Sequence, residues 1–321
     1  MLCAKFNQNI KFEFIELEAG WECFVEKGTS LPKQTLDELK QCNCAVFGAV
    51  SSPSGKVEGY SSPIVGLRRE LGLYANIRPA KSLNINVSYM HKDVNMYIVR
   101  ENTECCYTGQ ERLMTTDIDS IAVCNRIISK NATQNIARAA VSVLQTNFTS
   151  NNRITIAHKA NVMPITDGLF LKICRSTLEE ACVCYNDCLV DSLAMKVVQN
   201  PGNFNVIVAP NFHGDILSDV ASAVTGGLGL SAGLNLGSNF MIAEPVHGSA
   251  PDIAGKGIAN PIATFRSVGL MLDQMMHTCT YSKQIDTAIE KTFIKLSFNY
   301  TPDMNGEGTT ISCANTILDA I

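Results

Sequence analysis

Residues 204–219 read FNVIVAPNFHGDILSD. The first six form a short, almost wholly apolar run, the pattern of a strand buried on both faces of a parallel sheet. Pro210 interrupts it, and residues 214–225 then read as a helix that stops at Gly226-Gly227. Asp215 and Asp219 are four apart and share one face of that helix. They sit just past the carboxyl end of a strand, where open α/β sheets present ligand sites. Two hard carboxylates on one face suit Mg²⁺ or Mn²⁺. The plainer alternative is a pair of acids near a helix N-terminus favouring its dipole.

The same alternation extends in both directions. Strands are predicted at residues 11–17 (KFEFIEL), 44–50 (CAVFGAV, as a buried parallel strand), 95–100 (NMYIVR) and 153–157 (RITIA). Helices are predicted at 31–42, 63–71, 117–146, 167–181, 190–199, 262–276 and 283–296. Strands alternating with helices argue an α/β fold. Gly227-Leu-Gly229-Leu-Ser-Ala232 matches a loose dinucleotide fingerprint. That motif needs a strand before it and a helix after it. Here it follows a helix, so it reads as a helix stop and turn.

Composition narrows the classes. The chain has 321 residues, 46% hydrophobic and 17% charged, enough for roughly two domains. A disordered chain would need lower hydrophobicity and higher net charge. No run of about 18 apolar residues occurs, which excludes a hydrophobic bilayer-spanning helix. A net charge of −4 argues against general nucleic-acid binding. Thirteen cysteines, an odd number, with no apolar leader in MLCAKFNQNIKF point to free thiols in a reducing compartment. Cys182, Cys184 and Cys188 lack CxxC spacing and a nearby His, so they read as inert thiols.

Three further groups carry chemistry. Arg68, Arg78 and Arg100 lie at strand and helix ends; arginine grips planar carboxylates with paired hydrogen bonds, so three suit a polycarboxylate, while ordinary salt bridges are the alternative for each. Tyr107 and Lys159 are an acid/base pair in waiting, since a Lys near a metal and cationic Arg can have its pKa lowered. Residues 244–261, EPVHGSAPDIAGKGIANP, are rich in small residues that let a backbone approach a ligand.

Together these segments resemble the β-decarboxylating dehydrogenase family, which includes isocitrate, isopropylmalate and homoisocitrate dehydrogenases. LRRELGLYANIRP at 67–79, VRENTE at 99–104, HKANV at 158–162, NFHGDILSD at 211–219 and EPVHGSAPDIAGKGIANPIAT at 244–264 match in family order. The resemblance runs from about residue 9 to the C-terminus. It implies a two-domain, isopropylmalate dehydrogenase-like α/β fold, distinct from the Rossmann fold. The nucleotide-side domain would take residues 1–73 and 226–321, and the dimerisation and substrate domain residues 74–225. The active site would lie in the cleft between them. It implies a homodimer with shared active sites.

The resemblance also assigns roles. Arg68, Arg78 and Arg100 would hold the malate-like part of the substrate, with Ser62 on the distal carboxylate and Asn161 as a further contact. Asp215 and Asp219 would hold Mg²⁺ or Mn²⁺, joined by Asp191 from the second subunit. Lys159, also from the second subunit, would work with an Asp in removing the hydroxyl proton, and Tyr107 would protonate the enol. His247, Gly248, Ser249 and Ala250 would wrap adenosine, with Asn260 on adenine. Asp252 stands where relatives using NADP place a Lys, which implies NAD. The run KVEGYSSPIVGLRRELGLYANIRPAKS at 56–82 looks most like homoisocitrate dehydrogenases, with Ile64 and Val65 lining room for one more methylene. That implies 2-oxoadipate formation in lysine biosynthesis, with isocitrate as the alternative substrate. Such enzymes are expected in mitochondria. The family's opening strand and GDGIG turn do not occur, so the chain is expected to be an incomplete one or a silent partner subunit.

Overall fold

The alternating apolar runs close into a mixed eight-stranded sheet in the computed structural model, which describes residues 12–53, 55, 57–85, 91–149, 152–295 and 299–321. Its strands are β1 (Cys44–Val46), β2 (Ala75–Lys81), β3 (Asn95–Glu101), β6 (Ile154–His158), β7 (Tyr185–Leu189), β8 (Val206–Ala209), β9 (Ala232–Leu236) and β10 (Met241–Pro245). Their order across the sheet is β1-β10-β9-β2-β3-β8-β6-β7. β4 (Glu111–Thr115) and β5 (Ser120–Cys124) form a separate two-stranded hairpin.

Side chains alternate along a strand, so each apolar run serves two cores. Ile77, Tyr97, Val99, Ile154, Ile156, Val206 and Val208 face one side and pack on helices α4 (Lys130–Asn147), α5 (Thr166–Glu180) and α8 (Ile262–Met275). Met96, Ile98, Ala157, Ile207 and Ala209 face the other, against α6 (Val190–Gln199) and α7 (Asn211–Val224). Toward β1 on this second side, α3 (Pro63–Glu70) inserts Leu67 beside Leu39, Leu73, Phe240 and Ile242. The remaining helices are α1 (Trp21–Lys27), α2 (Lys33–Leu39), α9 (Thr280–Lys295) and α10 (Thr310–Ala320).

Several elements differ from expectation. Residue 11 lies outside the described residues, and 12–17 form no strand. Phe14 and Ile15 stay largely exposed, so the alternation there buries no face. The predicted strand at 44–50 shrinks to β1, a half-exposed edge strand paired only with β10. The predicted helix at 117–146 begins only at Lys130. Before it, the chain turns at 116–119, where Thr116 donates to the Asp119 carbonyl at 2.7 Å, and runs back as β5. Ser129 then accepts from the Ala132 backbone N–H and starts α4. β2, β4, β7, β9 and β10 fall outside the predicted strands; Arg and Pro in β2 and polar residues in β4 and β7 mask their patterns.

Candidate active site

Strand register lays one polar row across the middle of the sheet. Asn235 of β9 stands opposite Asn76 of β2, Asn76 opposite Arg100 of β3, and Arg100 opposite Ala209 of β8. Opposed residues point to the same face, and so does Arg78, two residues on from Asn76. This is the face on which α3 and α7 pack, so the helices carrying Arg68 and Asp215 meet Arg78 and Arg100 over that row.

Arg100 is 1% exposed. Its Nε donates to Asn211 Oδ1 at 2.9 Å, its Nη1 donates to Asp215, and its guanidinium lies 5.0 Å over the Tyr107 ring. Arg78 Nε donates to Asn76 Oδ1 and Nη1 to Ser218 Oγ, both at 2.7 Å, and Nη1 lies 3.5 Å from Asp215 and 3.7 Å from Asp219. Arg68 Nε donates to Asn235 Oδ1 at 3.2 Å and Nη2 to Glu244 Oε2 at 3.4 Å. Burial, reinforced by Arg78, pulls Arg100 down to about 10. Burial lowers Arg78 as well, against the pull of Asp215. The three cations are buried, while Asp215 and Asp219 opposite them are partly exposed, so the guanidinium groups stand beside an opening where a planar anion could pair with them.

The helix carrying the two acids approaches closely because residue 214 is glycine. A Cβ there would fall 2.7 Å from Arg100 Cγ and 3.2 Å from its Cα. Tyr107 sits on a short turn, and its hydroxyl donates to Asp215. Burial, then that hydrogen bond, push Tyr107 up to about 12, so it keeps its proton at neutral pH. Burial raises Asp219, working against Arg78. The turn is tied down by two residues that sequence reasoning missed. Glu101 accepts from the Thr103 and Glu104 backbone N–H groups, and Asn211 donates to the Glu104 carbonyl while accepting from Arg100.

A second group gathers at the end of β6. Lys159 Nζ lies 2.6 Å from Asp191 Oδ1, with side chains 24% and 64% exposed. The hydrogen bond from Lys159 holds the Asp191 carboxyl below its ordinary value. The Lys159 backbone N–H donates at 2.6 Å to Asp167, a fully buried carboxylate also bound by Arg126. His213 Nδ1 is 3.6 Å from the same carboxylate, and burial, aided by Arg126, pushes the imidazole down to about 4. Among the described residues no hydrogen bond or ion pair joins Lys159 or Asp191 to Tyr107, Asp215 or the three arginines.

The other predicted residues lie around these groups. Ser62 precedes α3 and its hydroxyl makes no cap bond. Val65, Arg68, Arg69, Asn102, Thr103 and Tyr107 line one small recess. Asn161 is exposed in the turn after Lys159. His247, Gly248, Ser249 and Ala250 form an open loop after β10, with Ala250 at φ 43°. Asp252 is exposed and makes no ion pair among the described residues, which leaves its carboxylate able to accept a ribose hydroxyl. The Asn260 carboxamide is engaged at both ends, donating to Asp303 Oδ2 at 3.0 Å and accepting from the Ile262 N–H that opens α8.

For a divalent ion, the donor set within one chain is the pair Asp215 and Asp219. No group of three or more His, Cys, Asp or Glu able to hold a metal gathers among the described residues. Two carboxylate donors fit Mg²⁺ or Mn²⁺, which fill their remaining positions with water and substrate oxygens.

The family model described as isocitrate/isopropylmalate dehydrogenase matches residues 2–321. The isocitrate/homoisocitrate dehydrogenase of Thermus thermophilus is 42% identical over 313 residues, covering 97% of this chain and 90% of that protein. The homoisocitrate dehydrogenase of Methanocaldococcus jannaschii is 38% identical, over 98% of this chain and 91% of its own. The 3-isopropylmalate dehydrogenase of Archaeoglobus fulgidus is also 38% identical, over 96% and 90%. The crystal structure of isocitrate dehydrogenase from Methylococcus capsulatus superposes with a TM-score of 0.86 at 36% identity, over 94% of this chain and 88% of that one. These relatives are bacterial and archaeal and give the mitochondrial expectation no support. No described helix is long and apolar enough to cross a membrane.

Proposed function

Because the chain belongs to the isocitrate/isopropylmalate dehydrogenase family of NAD-dependent β-decarboxylating enzymes, we propose that it oxidatively decarboxylates homoisocitrate to 2-oxoadipate, a step of lysine biosynthesis, as a homodimer. The observation that carries the reading is the convergence of Arg78, Arg100 and Tyr107 on Asp215, with Arg68 tied to Asn76 beside them through Asn235. The recess between the α3 end and Tyr107 includes Val65, on the side where an extra methylene would sit. Ser62 offers a free hydroxyl to the distal carboxylate.

The residues divide the work. The arginines fix the malate-like carboxylates and hold the carbinol carbon in one orientation. Lys159 of the partner subunit works with Asp191 of the partner subunit in removing the hydroxyl proton, which passes to the Lys159 amine once that group has given its own proton to the carboxylate. Bound NAD would supply the hydride acceptor, and Asp215 and Asp219 would hold a divalent ion that would supply Lewis-acid stabilisation of the charge developing on the substrate. Tyr107, protonated at neutral pH, returns a proton to carbon. Asp252 accepts from the adenosine ribose and repels a 2′-phosphate, and residues 247–250 with Asn260 flank the nucleotide. Hinge movement of residues 1–73 and 226–321 against 74–225 would dry the cleft.

A shared site is favoured by the apolar side chains left exposed on its own elements. Val162 and Ile165 follow Lys159, Met195 and Val198 share α6 with Asp191, and Phe212 and Ile216 share α7 with Asp215. The β4–β5 hairpin adds Leu113, Met114 and Ile121. Apolar surface of this extent on site elements fits burial against a second copy. A second substrate reading, isocitrate, is favoured by the Thermus relative being an isocitrate/homoisocitrate dehydrogenase, since one methylene separates the acids by only ~1–3 kcal/mol.

NADH formation with Mg²⁺ on homoisocitrate, isocitrate and 3-isopropylmalate, with NADP as control, tests the reading. Homoisocitrate with NAD is expected to be fastest. Preference for 3-isopropylmalate or for NADP overturns the substrate or cofactor assignment, and no turnover moves the chain to a silent partner subunit. Mixing R100M and K159M chains tests the shared site. Re-association should restore up to about a quarter of wild-type activity if each site draws on two subunits, and none if it does not.

A further inference from the structure

We propose that Asn235 is a positioning residue that couples binding of the organic acid to binding of the nucleotide. The inference rests on the reading of Arg68 as a substrate ligand and of residues 244–261 as the nucleotide segment. Asn235 is fully buried, next to the last residue of β9. Its Oδ1 accepts from Arg68 Nε at 3.2 Å, Asn76 Nδ2 at 2.7 Å and Asn102 Nδ2 at 3.0 Å. Its Nδ2 donates to Glu244 Oε2 at 2.7 Å. A carboxamide oxygen has two lone pairs, so three donors leave it saturated and fixed in direction.

Each partner leads elsewhere. Arg68 is the anion-gripping residue of α3. Asn76 accepts from Arg78 Nε at 2.7 Å, so the second arginine reaches Asn235 through one intermediary. Asn102 also donates to the Leu73 carbonyl and stands beside the turn that carries Tyr107. Glu244 is the first residue of the nucleotide segment and shares Arg68 with Asn235. One buried amide thus fixes the acid-binding guanidinium and the head of the nucleotide segment relative to each other. An anion that reorients Arg68 changes what Glu244 is bonded to, and a nucleotide that shifts residues 244–250 changes what holds Arg68. Coupling between two ligands is reciprocal by linkage.

The test is a fluorescence titration of NADH, alone and with saturating isocitrate and Mg²⁺, in wild type, N235S and N235D. The wild type should bind NADH at least about five-fold more tightly when the acid is present. N235S should bring that ratio close to one and weaken acid binding. N235D exchanges the N–H facing Glu244 for a second carboxylate oxygen and sets a negative charge against Arg68, so it should lose the coupling and weaken acid binding as well. A purely structural Asn235 would lower the melting temperature and leave the ratio intact, which overturns the proposal, as does a wild type without coupling. An R68A chain that binds the acid as tightly as wild type overturns the underlying reading, and the coupling with it.

Discussion

Arg100 is almost wholly buried and bonded to Asn211, Asp215 and the Tyr107 ring, whereas Lys159 meets one exposed acid at the end of β6. The arginine side is held by a polar row inside the sheet, so its geometry is part of the fold. The lysine side is held at the backbone, by Asp167 beneath it, while its ammonium group stands partly in solvent. A buried, rigid arginine cluster and a partly exposed lysine are thus held by different means. Changes on the first side should cost both stability and activity. Changes on the second should cost activity alone.

The sharpest contrast comes from K159M, expected to lower kcat by about 10²–10⁴-fold, the range for loss of a general base, with melting temperature and the KM for acid nearly unchanged. Steady-state rates beside calorimetry check it, and a large fall in stability would break the contrast. R100K keeps the charge and loses the planar fork, so kcat/KM should fall by about 10²–10³-fold and the melting temperature should fall with it. G214A places a methyl group against Arg100. It should destabilise the chain by about 1–3 kcal/mol through overpacking, with denaturant midpoints as the readout and a rise in KM for the acid as α7 is pushed off β3.

The smallest effect belongs to the support of the lysine side. Asp187 accepts from Arg175 and from His158, whose other ring nitrogen accepts from the Ala160 N–H. Burial works to raise the Asp187 carboxyl, but the hydrogen bonds from Arg175 and His158 outweigh it and hold the group below its ordinary value. The folded chain therefore binds that proton less tightly than the unfolded one. The stabilisation is complete above the ordinary carboxylate pKa and is lost as pH falls through the lower folded value. R175A should lose a few tenths of a kcal/mol at neutral pH, as for a partly exposed pair, and the difference from wild type should vanish in strong acid.

The fold class was legible, as were the runs carrying the arginines, Lys159, Asp215 and Asp219, because those runs are contiguous and hold unusual residue types; Tyr107 and Asp191 lie outside them, and the role of Asp191 came from the resemblance alone. Structure brings Arg68, Arg78, Arg100, Tyr107, Asp215 and Asp219 together, and leaves Lys159 with Asp191 apart from them. The amides that organise the site were not legible. Asn76, Asn102 and Asn235 gain meaning only from strand register between residues far apart in the chain, and no local spacing encodes that. Asn211 and Gly214 lie inside the motif that carries the acids, but their contacts with Arg100 come from a strand more than a hundred residues earlier. The difference at 117–129 has a local cause: Ile118, Ile121 and Ala122 stand at i, i+3 and i+4 and mimic a helix face, while Asp117 and Asp119 mark the hairpin turn that forms instead.

β1 pairs residue 44 with residue 241, and β2 pairs residue 76 with residue 235. On a ribosome, the strands that complete this half of the sheet emerge long after their partners. Until then Asn76 and Arg68 have no Asn235 to receive them, and the edges of β2 and β1 are unpaired. Assembly of the anion grip is therefore a late event of synthesis, slowed by its long-range pairings, and the nascent chain must keep those strand edges from meeting other chains in the interval.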